Sequence, residues 1–113
     1  VSPTMLHNGF TLAASSKSAL PVINSIDSLR YISNIENHAI SRDSIKRVQT
    51  PQFFDISILK NAYNQKYNTS FTDDASVWEQ AGNTISCFDG DEKNIKITNP
   101  IDLIIAETLL QLE

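Results

Sequence analysis

Apolar residues fall along this chain in short, separate groups, and their spacing predicts alternating helices and strands. Leu6, Phe10, Ala13 and Ala14 share one face of a helix ending near Lys17. Ser2 and Pro3 start it, because serine caps free N–H groups and proline at the first helical position sacrifices none that was needed. Gly9 weakens the pattern. Residues 19–23 form a continuous apolar run that suits a strand buried on both faces, although Pro21 removes one ladder donor and predicts a bend after it. From 24 to 41 the isoleucines and Tyr31 follow neither a helical nor an alternating period, and Ser33-Asn34 reads as a turn. A hairpin or projecting arm accounts for this, with isoleucines that need a partner surface.

Beyond the arm, residues 42–47 are a charged approach to Gln49-Thr50-Pro51-Gln52-Phe53-Phe54. Taken alone, that hexapeptide reads as a strand end anchored by its two phenylalanines, with proline biasing Thr50 toward extended backbone. Asp55 caps a helix predicted over 56–67, on which Leu59, Ala62 and Tyr63 share a face. Thr72-Asp73-Asp74-Ala75-Ser76 announces another helix, with a hydroxyl cap and two acids in its first turn, packed by Val77 and Trp78 and stopped at Gly82. Residues 85–88 read as a strand, 89–92 as an acidic turn and 94–98 as a second short strand carrying Lys96. Asn99 and Pro100 open a last helix with an apolar stripe at Ile101, Ile104, Ile105, Leu109 and Leu112. Alternating helices and short strands make the fold class α/β.

At 113 residues the chain is one domain or a piece of one. Its opening on Val1, with the single methionine inside a helical stretch, leads us to expect a fragment. A net charge of -4 disfavours whole-surface attraction to nucleic acid or anionic membrane but leaves room for a local cationic pocket. No apolar run is long enough to span a bilayer. The single cysteine, Cys87, excludes an internal disulfide framework and fits a reducing compartment, so the expected location is cytoplasmic. Cys87 itself lies in an apolar strand without a basic neighbour and is expected to be buried and inert.

Three polar clusters carry candidate chemistry: Arg42 with Thr50, Thr72 with Asp73 and Asp74, and Lys96 with Thr98. A helix start at Thr72 with cations at Arg42 and Lys96 is a set that suits a phosphate, since N–H groups and hydroxyls give direction and the side chains supply charge. Each cation taken singly reads as a solvated surface residue, and the two acids read as caps rather than metal ligands. His7 and His38 have no ligand-spaced partner, so no metal site is expected. Three glycines, far apart, make no phosphate loop.

Several segments together resemble the C-terminal half of the 2-C-methyl-D-erythritol 4-phosphate cytidylyltransferases. They are Asp27-Ser28-Leu29-Arg30, Arg42 followed by Gln49-Thr50-Pro51-Gln52-Phe53-Phe54, Thr72-Asp73-Asp74-Ala75-Ser76, and Asn94-Ile95-Lys96-Ile97-Thr98 leading into Pro100-Ile101-Asp102-Leu103. In order and spacing they cover nearly the whole chain. The resemblance implies the C-terminal part of a Rossmann-like nucleotidyltransferase fold, serving substrate binding and dimerisation, with a projecting β-arm over about 24–47. The implied reaction joins methylerythritol phosphate to the α-phosphate of CTP, gives 4-diphosphocytidyl-2-C-methyl-D-erythritol and releases pyrophosphate, with help from magnesium, as a step toward isoprenoid precursors.

By the same resemblance, Arg42 and Lys96 position the substrate phosphate for attack, while Thr50 and Thr72 contact that substrate. Ser28 stands where the family's arm usually has threonine, keeping the donor and losing a methyl. The arm is expected to pack on a second subunit, making a homodimer in which Arg42 enters the neighbour's site. The glycine-rich CTP loop and the acidic metal-binding segment belong to an N-terminal half, so these 113 residues alone are expected to be inactive. The alternatives are a cytidylyltransferase for ribitol or another polyol phosphate and a non-catalytic dimerisation module.

Overall fold

The computed structural model describes residues 1–112. Its elements run α1 (Pro3–Ser16), β1 (Ser18–Asn24), β2 (Leu29–Ile32), β3 (Asn37–Ile40), β4 (Lys46–Val48), β5 (Phe53–Phe54), α2 (Ile56–Ala62), α3 (Asp74–Gln80), β6 (Cys87–Asp89) and α4 (Pro100–Gln111). The α/β class expected from the pattern is what folds.

β1 is the centre of the main sheet. It pairs antiparallel with β4 and β5 and parallel with β6. Backbone groups alternate sides along a strand, so Lys17 and Pro21 offer their carbonyls on the β4 and β5 side, to the N–H groups of Asp55 and Gln49. Leu20 and Val22 face β6, where the Leu20 N–H donates to Ser86 and the Val22 carbonyl accepts from Gly90. Pro21 is tolerated in this buried strand because its missing N–H falls where the chain passes from β4 to β5 and makes no ladder there.

Phe53 is the hinge of the core. Its ring lies edge-on to Phe10, with centroids 4.9 Å apart, and 6.1 Å from Phe88. It also covers Gly9 so closely that a Cβ there would stand 2.2 Å from the ring. The buried face of α1 is therefore Met5 and Gly9, while Phe10 and Ala14 are exposed. The glycine that weakens the helical pattern is the residue that lets the helix lie against Phe53. Phe54 packs on Trp78, which is buried and donates its indole N–H to the Thr84 carbonyl at 2.8 Å. Ser18, also buried, donates to the same carbonyl and accepts from the Ser86 N–H, so no polar group at this junction is left unmatched.

The arm forms as a separate two-stranded hairpin, β2 with β3, turned at Ser33, whose hydroxyl accepts from the N–H groups of Ile35 and Glu36. The radius of gyration, 16.4 Å, exceeds the roughly 13 Å of a compact domain this size, as a projecting hairpin requires.

Four further expectations are corrected here. Helix α2 ends at Ala62, five residues before the predicted 67, because Asn64 and Gln65 take tighter backbone bonds to Asn61 and Ala62. Residues 94–98 form no strand; their backbone groups go to local turns and to a carboxylate. Cys87 is exposed, since side chains alternate along β6 and Phe88 is the one turned toward Phe53. The apolar stripe of α4 forms at helical spacing but none of it is buried, and Ile101, Ile104 and Leu112 stand mostly in solvent.

Candidate functional site

A cavity of about 540 Å³ opens beside the end of β4, lined by Arg47, Thr50, Gln52, Asp73, Lys96 and Asp102 among others. A second, of about 560 Å³, shares Thr50, Gln52 and Asp73 with the first and continues past Thr72 to Tyr63, Tyr67 and Phe71. Thr50, Thr72 and Lys96, far apart in sequence, therefore line one continuous depression. It has a polar, charged end, where Arg47 and Lys96 stand with Asp73, Glu92 and Asp102, and an aromatic end over α2 and α3.

Each of these side chains is placed by local chemistry. The Thr50-Pro51 peptide is cis. Thr50 leads into β5, whose Phe53 and Phe54 are held in the core by the ring contacts above. Thr72 precedes α3, but it is not the cap. Asp73 is, its carboxylate accepting from the Ser76 N–H at 2.9 Å, while the Ser76 hydroxyl accepts from the Thr72 and Asp73 N–H groups. The hydroxyl of Thr72 is thus free of the capping duty that the sequence pattern gives it.

Lys96 sits in an irregular segment held at both ends. On its C-terminal side the Asp102 carboxylate accepts from the N–H groups of Thr98 and Asn99, at 3.0 and 2.8 Å, and these two bonds hold its pKa below the ordinary 3.8. On its N-terminal side the Asn94 side chain donates to the Thr50 carbonyl at 2.6 Å. Gln49, in the sequence only a polar neighbour of Thr50, also reaches across, donating to the carbonyls of Asp91 and Asn94 and accepting from the Asp91 N–H. The signal available is an amide side chain beside the motif threonine, and nothing in the spacing says what it grips.

Arg42 and Ser28 lie elsewhere. Arg42 opens the short 3-10 turn Arg42–Ser44 at the base of the arm, and its guanidinium donates to the Ile26 carbonyl at 2.7 Å. It lines a separate cavity with Asn24, Asp43 and Lys46. Ser28 sits just before β2. Within one chain, then, three of the five candidate residues come together and two do not.

The described residues offer no clustered set of metal ligands. Asp73 is committed to the α3 cap and Asp102 to the backbone before α4, and among the described residues no three His, Cys, Asp or Glu side chains group as ligands. No helix of the described residues is long and apolar enough to cross a membrane.

Comparison with known proteins agrees with this architecture. The family model described as 2-C-methyl-D-erythritol 4-phosphate cytidylyltransferase matches residues 4–112. A relative of that name from Phocaeicola vulgatus is 38% identical over 110 residues, 97% of this chain and 50% of its own length. One from Bacteroides thetaiotaomicron is 42% identical over 101 residues, 89% of this chain and 46% of the relative. The crystal structure of the enzyme of that name from Thermus thermophilus superposes with a TM-score of 0.83 at 27% identity, covering 98% of this chain and 56% of that one. The chain spans about half the length of the relatives it matches. It belongs to the 2-C-methyl-D-erythritol 4-phosphate cytidylyltransferase family.

Proposed function

We propose that this chain is the substrate-binding and dimerisation part of an enzyme that joins CTP to 2-C-methyl-D-erythritol 4-phosphate and releases pyrophosphate. The observation that carries the reading is the meeting of Thr50 and Lys96 in one cavity, with Thr72 in its continuation.

In this reading a phosphate oxygen of the polyol attacks the α-phosphorus of CTP, a new P–O bond forms, and the bond to the β-phosphate bridging oxygen breaks with pyrophosphate leaving. The protein's task is positioning and charge neutralisation rather than covalent help. Lys96 supplies a compact positive charge beside the attacking phosphate, and the hydroxyls of Thr50 and Thr72 direct it. None of them acts as a base.

Arg42 and Ser28 enter from a second copy of the chain. Support comes from the arm: Ile26, Ile32 and Ile35 are 78%, 70% and 91% exposed, an apolar surface that a homodimer covers. Arg42 then serves the partner's cavity with a planar, permanently charged fork. CTP and magnesium complete the whole enzyme. No step here runs through the metal. A cytoplasmic location and a role in isoprenoid precursor synthesis belong to the same reading.

Pyrophosphate release from CTP, measured with the whole enzyme against methylerythritol phosphate, ribitol phosphate and no acceptor, tests it. Turnover with methylerythritol phosphate alone is expected; equal turnover with ribitol phosphate contradicts the substrate, and none with any acceptor contradicts the activity.

A further inference from the structure

The segment carrying Lys96 has no strand ladder to hold it, yet it must keep one position relative to Thr50, which lies on a different stretch of chain. Between the two runs a reciprocal pair of side-chain clamps. Gln49, the neighbour of Thr50, grips the backbone of the 91–94 turn. Its Nε2 donates to the Asp91 carbonyl at 2.7 Å and the Asn94 carbonyl at 3.0 Å, and its Oε1 accepts from the Asp91 N–H at 3.0 Å. Asn94, two residues before Lys96, grips in return the Thr50 carbonyl at 2.6 Å.

The fit is close. A Cβ on Gly90 would stand 2.3 Å from the Gln49 Oε1, so the turn passes the amide with no room for a side chain. Both N–H donors of the Gln49 amide are used on carbonyls, which leaves none to offer a ligand. Although Gln49 and Asn94 line the same cavity as Thr50 and Lys96, Gln49 is committed to the protein, and its influence on a bound phosphate must pass through the backbone it holds.

We propose that Gln49 and Asn94 are positioning residues for the transfer reaction, a two-way amide clamp that fixes the separation of Thr50 and Lys96. The inference rests on the reading of those two residues as substrate-phosphate contacts. A positioning error of an ångström in such a site costs on the order of a hundredfold in rate, so a clamp of uncharged side chains has a large lever.

Two measurements on the whole enzyme test it, using Gln49→Ala, Gln49→Glu, Asn94→Ala and Asn94→Asp. Glutamate keeps the size and an acceptor oxygen of Gln49 but sets oxygen against two carbonyls. In amide hydrogen exchange, residues 90–98 are expected to exchange about tenfold faster in each variant, with α2 and α3 unchanged. In steady-state kinetics, kcat is expected to fall about tenfold to a hundredfold and KM for the polyol phosphate to rise, while KM for CTP stays within about twofold. Gln49→Ala combined with Asn94→Ala is expected to cost less than the sum of the two single losses, because both act on one contact. A variant that only weakens folding moves exchange everywhere and both KM values together.

Unchanged exchange over 90–98 overturns the clamp. A loop that is freed while kcat and KM stay as in the unaltered enzyme overturns its role in positioning. An unaltered enzyme that releases no pyrophosphate overturns the underlying reading instead, a failure that stands apart because the exchange result does not depend on activity.

Discussion

Tyr63, just past the end of α2, donates its phenolic hydroxyl to the carboxylate of Asp74 in the first turn of α3. The bond ties the two helices together at the aromatic end of the depression, and both residues line it.

The bond to Asp74 comes first among the causes that raise the Tyr63 pKa above its ordinary 10.0, followed by desolvation and the nearby negative charge. A group whose folded pKa is raised contributes stability that is present below its unfolded value and is lost as pH rises through the folded one. Stability from this contact is therefore constant through neutral pH and falls above about pH 10. Urea unfolding at a series of alkaline pH values is expected to show a drop in the unaltered protein that Tyr63→Phe lacks; identical pH profiles contradict the contact.

Gly9 and Gly82 respond to alanine for different reasons. At Gly9 the new methyl meets the Phe53 ring within van der Waals distance, and an overpacked core typically costs about 1–3 kcal/mol. At Gly82 nothing lies within 4 Å of a Cβ, but φ is +93°, and the left-handed region costs a side chain about 1–2 kcal/mol. Thermal unfolding is expected to fall in both variants. Shaving Phe53 to leucine should rescue Gly9→Ala in part and leave Gly82→Ala unrescued.

If Arg42 serves a neighbouring subunit, neither Arg42→Ala nor Lys96→Ala homodimers have a complete site, whereas a mixed dimer has one. Random mixing of the two variants is then expected to recover about a quarter of the unaltered activity, as two-fold symmetry dictates. Activity that stays at the level of the separate variants contradicts the exchange of arms.

Sequence reasoning succeeds where a signal is local. Ser2 caps α1 through its bond to Met5, Asp55 caps α2, Gly82 takes the left-handed stop, and the turn at Ser33 folds the arm. It fails where the outcome depends on distant residues. The alternation over 94–98 predicts a strand, but among the described residues no neighbouring strand presents a ladder there, and the N–H groups of Thr98 and Asn99 go to Asp102. The periodicity of α1 points to the wrong face because Phe53, a distant residue in sequence, selects Gly9. Thr72 reads as the cap because a hydroxyl in that place often is, while Asp73 accepts more strongly from the α3 backbone. The candidate residues Thr50, Thr72 and Lys96 are legible as residue types; that they share a depression, and that Arg42 and Ser28 do not join them within one chain, is legible only in the fold.

Replacing Lys96 by alanine in the whole enzyme and following pyrophosphate release from CTP and methylerythritol phosphate tests the central claim most directly. A loss of kcat of about a hundredfold or more, with the thermal unfolding midpoint unchanged, is the predicted result for a group that positions and neutralises the attacking phosphate. Undiminished turnover in a folded Lys96→Ala enzyme would contradict the account.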